Sequence, residues 1–378
     1  MNFDYTDHEQ ELLQWGIDLG KFLQEKDRNP ETFQKELWKE MAQKNIFETI
    51  VPTEFNGLGF SALDLVLILQ GISRHWKNLG MLFAASAQLF ACMIPMIRFG
   101  SQQQKEEIFS RVFKGEVILA NLMTEPGSGS DCFALQTTAA PASDGTYSIT
   151  GSKCFGTNAP IADYFVTYAK TRPSYGFLGI SCFLIPKNSK NITMAKPYEK
   201  MGLNGSLLGD VSFDQCTVGK DRLIGKDGQG GTIFNTSMNW ERTCLFAIYL
   251  GMMERQLQEV TDFVKVQNRF GKTLSKFQLV QDRVVEMKKN LEISRLLLYQ
   301  AAHDLNKGKA NELHSSLSKV FTSQAAVENS LHAIQLYGAY GYTKESGIEM
   351  MLRDSIPARI FSGSNEIQRQ VIARELGL

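Results

Sequence analysis

Several features that would narrow the function quickly are missing. The six cysteines, at 92, 132, 154, 182, 216 and 244, include no Cys-x-x-Cys pair, and the five histidines show no ligand spacing. This excludes the common structural zinc patterns and fits a chain kept reduced, with no metal. Neither sign of charge prevails: Lys+Arg and Asp+Glu stand at 40 each, which gives no electrostatic case for nucleic acid. No basic stretch followed by an apolar run opens the chain, so no signal peptide is expected. Internal repeats and low-complexity tracts are absent. Met81 to Ile97 is the one uncharged run of nearly membrane-spanning length, but it contains Ser86, Gln88 and Pro95 and reads as a buried helix.

What is present has a clear order. Thr6-Asp7-His8-Glu9 forms a capping-box pattern ahead of the apolar-periodic run Leu12 to Leu23. Helical patterns continue over Glu31–Gln43, Ala62–Arg74, Met81–Ile97 and Gln102–Phe113. From about Val117 to Gly225 the texture changes to Gly, Ser and Thr with short β-branched runs, such as Tyr164-Phe165-Val166-Thr167-Tyr168 and Cys182-Phe183-Leu184-Ile185. That pattern predicts a small antiparallel β domain. Helical periodicity returns after Gly231 and is long enough for a four-helix bundle. The expected organisation is α+β: an all-helical domain over 1–118, a β-barrel domain over 119–228 and a helical bundle over 229–378.

Three glycine-rich segments could carry chemistry. They are Met123-Thr124-Glu125-Pro126-Gly127-Ser128-Gly129-Ser130-Asp131, Gly151-Ser152-Lys153-Cys154-Phe155-Gly156-Thr157-Asn158-Ala159 and Phe361-Ser362-Gly363-Ser364-Asn365-Glu366-Ile367-Gln368-Arg369. Glycines of this kind let peptide N–H groups approach a ligand closely. None is a dinucleotide fingerprint, because the glycine spacing is wrong and no βαβ unit surrounds them. Taken singly, each could equally be a structural turn.

In this order and at these separations the segments resemble the acyl-CoA dehydrogenase family over nearly the whole chain. Met201-Gly202-Leu203, Arg269-Phe270-Gly271-Lys272, Gln335-Leu336-Tyr337-Gly338 and Ile372-Ala373-Arg374-Glu375-Leu376 support the match. The resemblance implies a homotetramer with one FAD per subunit, held between the β domain and the C-terminal bundle. It places Asn121, Met123, Thr124, Gly129 and Ser130 along the flavin, and Phe155 and Thr157 over the face away from substrate. Arg269, Phe270, Gln278, Gln335 and Gly338 would meet a neighbouring subunit's FAD, and Ser364 and Glu366 the phosphate-adenosine end of the chain's own. The sequence departs from the family at Gln267, where an arginine is usual, at Ala339, where a second glycine is common, and at Phe155, where tryptophan is typical.

Oxidation of a thioester by this family removes an α-proton, which calls for a carboxylate on the side of the substrate away from the flavin. The family often places that glutamate directly before the glycine of the C-terminal motif; here the residue is Ser362. Glu241 is the alternative. It lies in the stripe Met238, Glu241, Leu245, Ile248 and Met252, whose spacing puts all five on one helical face. A carboxylate there is either half of an ion pair, with Arg242 or an arginine of another helix, or a base. The isovaleryl and long-chain branches carry their base on this helix in a Glu-Arg pair, which resembles Glu241-Arg242. The resemblance also assigns the Ser362 backbone N–H to the thioester carbonyl, and makes Phe361 and Arg242 lining residues of the acyl pocket.

The whole chain is most similar to the flavoproteins that oxidise an L-prolyl group tethered to a carrier protein. That reading makes the product a pyrroline-type thioester of secondary metabolism, formed in the cytoplasm away from membranes. Oxygen or an electron-transfer flavoprotein would be the final acceptor. A short branched-chain acyl-CoA dehydrogenase and a catalytically silent homologue are the alternatives.

Overall fold

The computed structural model describes residues 4–308 and 311–378. The chain begins with helices α1 (Asp7–Lys26), α2 (Lys35–Gln43), α3 (Ala62–His75), α4 (Leu79–Ala87), α5 (Ile94–Phe99) and α6 (Gln102–Phe113). The capping box forms as its sequence predicts: the Glu9 N–H donates to Thr6 Oγ1 and the Thr6 N–H to the Glu9 carboxylate. Helix α2 starts later than its apolar pattern predicts. Asn29 folds the preceding residues into a turn, its side chain accepting from the Glu31 N–H at 3.0 Å and its carbonyl from the Thr32 N–H at 3.1 Å. Such local side-chain bonds compete with a helix start.

A mixed sheet follows, formed by β1 (Leu119–Leu122), β2 (Thr138–Pro141), β3 (Tyr147–Thr157), β4 (Tyr164–Lys170), β5 (Ile180–Pro186), β6 (Ile192–Met194), β7 (Leu208–Val218) and β8 (Leu223–Ile224). Its order is β6-β7-β3-β2-β4-β5-β8, with β1 also against β4. Most pairings are antiparallel, but β1 and β2 run parallel to β4, a departure from the all-antiparallel expectation. Neither strand adjoins β4 in sequence, so no tight hairpin imposes an antiparallel direction on them. Ile149, Phe165, Phe183, Val211 and Phe213 fill the sheet's own apolar cluster.

The last part comprises α7 (Gly230–Trp240), a π-helical segment Glu241–Leu245, α8 (Ala247–Val266), a hairpin of β9 (Asn268–Arg269) and β10 (Lys272–Thr273), and helices α9 (Gln278–Asn306), α10 (Glu312–Tyr337), α11 (Ile348–Ser355) and α12 (Asn365–Glu375). Helix α3 lies between α1 and α8 at backbone distance. A Cβ at Gly71 would come within 2.6 Å of the Leu13 carbonyl, and one at Gly251 within 2.1 Å of the Gln70 carbonyl. Any side chain at either position would separate the helices.

The first half of α8 is therefore interior, and every residue from Thr243 to Met253 is buried. The single apolar stripe predicted from the 3-4 spacing understates this, because that pattern describes a helix with one wet face. The apolar run Leu79–Phe99 is a core element, interrupted by a π segment at Gln88–Met93 and buried from Leu79 to Met96. The two π segments pack against each other.

Candidate active site

Glu241 opens the second π segment and is 8% exposed. A π turn adds a residue to the helical ladder, which shifts the direction in which the side chains beside it point. The Glu241 carboxylate accepts a hydrogen bond from Ser362 Oγ at 2.8 Å. It forms no ion pair among the described residues, so the alternative of a salt bridge, to Arg242 or to an arginine of another helix, is not formed. The Arg242 side chain turns instead to the loop before α12, where its Nε donates to the Ser362 carbonyl at 3.0 Å. Burial pushes the Glu241 carboxyl above its ordinary range, and the Ser362 hydroxyl and the Arg242 charge offset only part of that rise. A carboxylate of this kind is a stronger proton acceptor than one in water.

Ser362 itself has φ +56°, in the left-handed region that non-glycine residues seldom occupy. Next to it, Phe361 packs on Phe83, Phe246 and Tyr249, with ring centroids 4.8, 5.4 and 6.5 Å away. Glu241, Ser362 and this aromatic wall face one another from three separate parts of the chain. Phe361 and Arg242, which the resemblance makes lining residues of an acyl pocket, thus adjoin Glu241, although Arg242 is engaged with the loop.

The first two glycine-rich segments are joined directly. Thr124 contributes its carbonyl to the Cys154 N–H at 2.9 Å, and Met123 its carbonyl to Lys153 Nζ at 3.1 Å. Beneath them Glu125 accepts from Lys153 Nζ at 2.8 Å and the Thr137 N–H at 2.9 Å, so its role is to brace the loop. The next turn, Cys132–Ala134, carries Phe133 onto Phe234 of α7 at 5.9 Å, bringing the loop towards the helix that ends at Glu241.

These residues fit an elongated polar ligand with an aromatic portion. Asn121 Oδ1 and Ser128 Oγ are buried without a protein partner. A Cβ at Gly127 or Gly129 would meet nothing within 4 Å, and Ser130 is exposed beside them. Phe155 is 56% exposed at φ +56°, with its ring 5.2 Å from that of Tyr198 and its N–H on Asp210. Thr157 lies two residues on, at the end of β3.

The remaining sequence candidates lie elsewhere. Arg269, Phe270, Gln278, Gln335 and Gly338 are exposed, Phe270 to 96%, and in this subunit they do not join the Glu241 cluster. Among the described residues Arg269 donates to the carbonyl of neighbouring Asn268. Ser364 caps α12 by accepting from the Ile367 N–H, and Glu366 faces solvent. Sequence reasoning missed Gln368, whose Nε2 donates to the carbonyls of Ser362 and Gly363, both at 3.3 Å. It also missed Phe83 and Phe246, which look like ordinary core residues until the fold brings Phe361 to them.

Three family models match successive parts of the chain. The models described as "Acyl-CoA dehydrogenase, N-terminal domain", "middle domain" and "C-terminal domain" match residues 19–116, 120–216 and 228–377. An L-prolyl-(peptidyl-carrier protein) dehydrogenase of Pseudomonas fluorescens is 39% identical over 341 residues, 90% of each chain. The solved structure of PigA with FAD and proline is 35% identical with a TM-score of 0.97, covering all of both chains. That of the prolyl acyl carrier protein oxidase AnaB is 32% identical with a TM-score of 0.96, covering 99% of this chain and 100% of AnaB.

Proposed function

The chain belongs to the acyl-CoA dehydrogenase family, and from that premise we propose that it oxidises an L-prolyl group carried as a thioester on a peptidyl carrier protein, with Glu241 as base. The observation that carries the reading is the buried Glu241 carboxylate, held by a neutral hydroxyl rather than neutralised by an ion pair. The enzyme is an FAD-dependent oxidoreductase, and FAD when bound would supply the hydride acceptor. Asn121, Met123, Thr124, Gly129, Ser130, Phe155 and Thr157 would hold the flavin, and Ser364 and Glu366 its adenosine end.

The chain's own part in the reaction begins with polarisation of the thioester. The Ser362 N–H, presented by a left-handed turn, donates to the carbonyl and makes the α-proton more acidic. Glu241 then takes that proton. Its raised proton affinity brings it nearer to the acidity of the α-carbon. Phe361, with Phe83 and Phe246 behind it, limits the acyl space with apolar surface and excludes water from the base.

The similarity to carrier-linked prolyl enzymes supports the substrate, and a cytoplasmic, membrane-free setting goes with it. A homotetramer belongs to the same proposal: Phe270, Leu279 and Tyr342 are 96%, 82% and 85% exposed near Gln278, Gln335 and Gly338. Apolar surface of this kind is suited to burial by another subunit, which would bring these residues to a neighbour's FAD. Oxygen or an electron-transfer flavoprotein completes the cycle. Anaerobic bleaching of the flavin by L-prolyl carrier protein, and not by isovaleryl-CoA, is the expected result. The reverse outcome returns the chain to branched-chain acyl-CoA oxidation, and no bleaching by either sinks both.

A further inference from the structure

We propose that the Ser362 side chain is a positioning residue for the base: its hydroxyl fixes the direction of the Glu241 carboxylate and keeps it ionised in the resting enzyme. The inference rests on Glu241 acting as the base, and it gives the side chain a task separate from that of the Ser362 peptide.

Three observations support it. The first is the contact, Ser362 Oγ to Glu241 Oε1 at 2.8 Å across 121 residues of sequence. Glu241 is buried, at 8% exposure, and a buried carboxylate without a donor is strongly disfavoured. The serine is that carboxylate's hydrogen-bond donor among the described residues.

The second is how firmly the serine is held. A left-handed backbone is unfavourable for a residue with a Cβ and persists where surrounding structure imposes it. Here two side chains grip the Ser362 carbonyl: Arg242 Nε at 3.0 Å, from the base's own π segment, and Gln368 Nε2 at 3.3 Å, from α12. Gln368 is fully buried, and its Oε1 accepts from Ser316 Oγ of α10 at 2.9 Å. Two elements thus hold one peptide, and α10 braces the second of them. The clamp sets where the hydroxyl points.

The third is the charge arrangement. The charged or titratable groups acting on Glu241 are Arg242 beside it and the Cys92 thiol from the α4–α5 π segment. Burial pushes the Cys92 thiol well above its usual range, so it stays neutral. Because the Arg242 side chain is bonded to the Ser362 carbonyl, the carboxylate receives a neutral donor in contact and a cation only at longer range. A direct ion pair would stabilise the anion further and weaken it as a base.

The experiment compares the holoenzyme with Ser362→Gly and Ser362→Ala. Glycine accepts the left-handed backbone without strain, so Ser362→Gly removes the hydroxyl and spares the turn. Protonation of Glu241 is followed by infrared difference titration without substrate, the carboxyl band being assigned by its loss in Glu241→Gln. The rate of flavin reduction by L-prolyl carrier protein is followed over the same pH range. We expect the carboxyl midpoint to move to higher pH in both serine variants. The acid limb of flavin reduction should move with it, making reduction roughly tenfold slower on the acid side and less affected at high pH. A carboxyl midpoint left in place by both variants would falsify the positioning role while leaving Glu241 as base intact. If the midpoint moves but the kinetic limb does not, or if Glu241→Gln reduces its flavin at the parent rate, the base assignment falls and takes this role with it.

Discussion

The loop braced by Glu125 and the π segment headed by Glu241 each bury one carboxylate, to 6% and 8% exposure, and treat it in opposite ways. Burial pushes both carboxyls upward. At Glu125 the Lys153 charge at 2.8 Å and the N–H groups of Gln136 and Thr137 more than reverse the rise, leaving the group below its ordinary range. At Glu241 one hydroxyl and a less direct arginine do not, and the group stays above it. Depth of burial is thus a poor guide to role. The number and charge of the donors separate a brace from a base, since each donor to the anion lowers its proton affinity.

The comparison can be broken most forcefully at Glu241. Glu241→Gln retains size and one acceptor but cannot take a proton, so flavin reduction should fall by roughly a thousandfold with the fold intact. Stopped-flow spectroscopy with circular dichroism as control measures both, and a loss below tenfold would place the base elsewhere. At Glu125 the expected damage is structural. Lys153→Met strands a buried carboxylate, which costs about 3–5 kcal/mol and should lower the thermal midpoint and loosen FAD. Adding Glu125→Gln should restore most of the midpoint; no recovery would mean that the pair's charge is not what holds the loop.

Acid sharpens the same contrast. The Glu125 carboxyl is depressed in the folded chain, so its stabilisation is present above the unfolded value of 4.5 and is lost as pH falls through the lower folded value. The Glu125→Gln/Lys153→Met variant should therefore lose less of its midpoint on acidification than the parent, and parallel curves would argue against the pair.

Asp354 tests the rule with the smallest effect. It accepts from the Leu203 N–H at 2.6 Å, but burial raises it from 3.8 to about 6. The folded chain then holds this proton more tightly than the unfolded one, so stability contributed here declines as pH rises from 3.8 to about 6 and stays lower above. Asp354→Asn keeps an acceptor and removes the charge. Its midpoint above pH 6 should match or slightly exceed the parent's, and a large drop would show that the ionised form is needed.

Legibility followed the range of the interactions. The Thr6 cap and the glycine-rich segments were visible because a few adjacent residues define them. Glu241 was found from its apolar surroundings, although the stripe runs into a stretch, Thr243 to Met253, that is buried on all sides. The parallel partnership of β1 with β4 could not be read, since it joins residues that no local pattern relates. Gln368 left no signal either, because a polar residue in a C-terminal amphipathic helix has the pattern of a solvent-facing one, yet the fold buries it completely.

The sequence by itself determined the order of helical and β segments, the family and the residues able to serve as base, because periodicity, turn chemistry and motif spacing are encoded along the chain. The tertiary structure alone decided that Ser362 would meet Glu241 and that Arg242 would hold the Ser362 peptide instead of pairing with the carboxylate. A carboxylate's proton affinity depends on what lies within a few ångströms, and across 121 residues of chain only packing determines that.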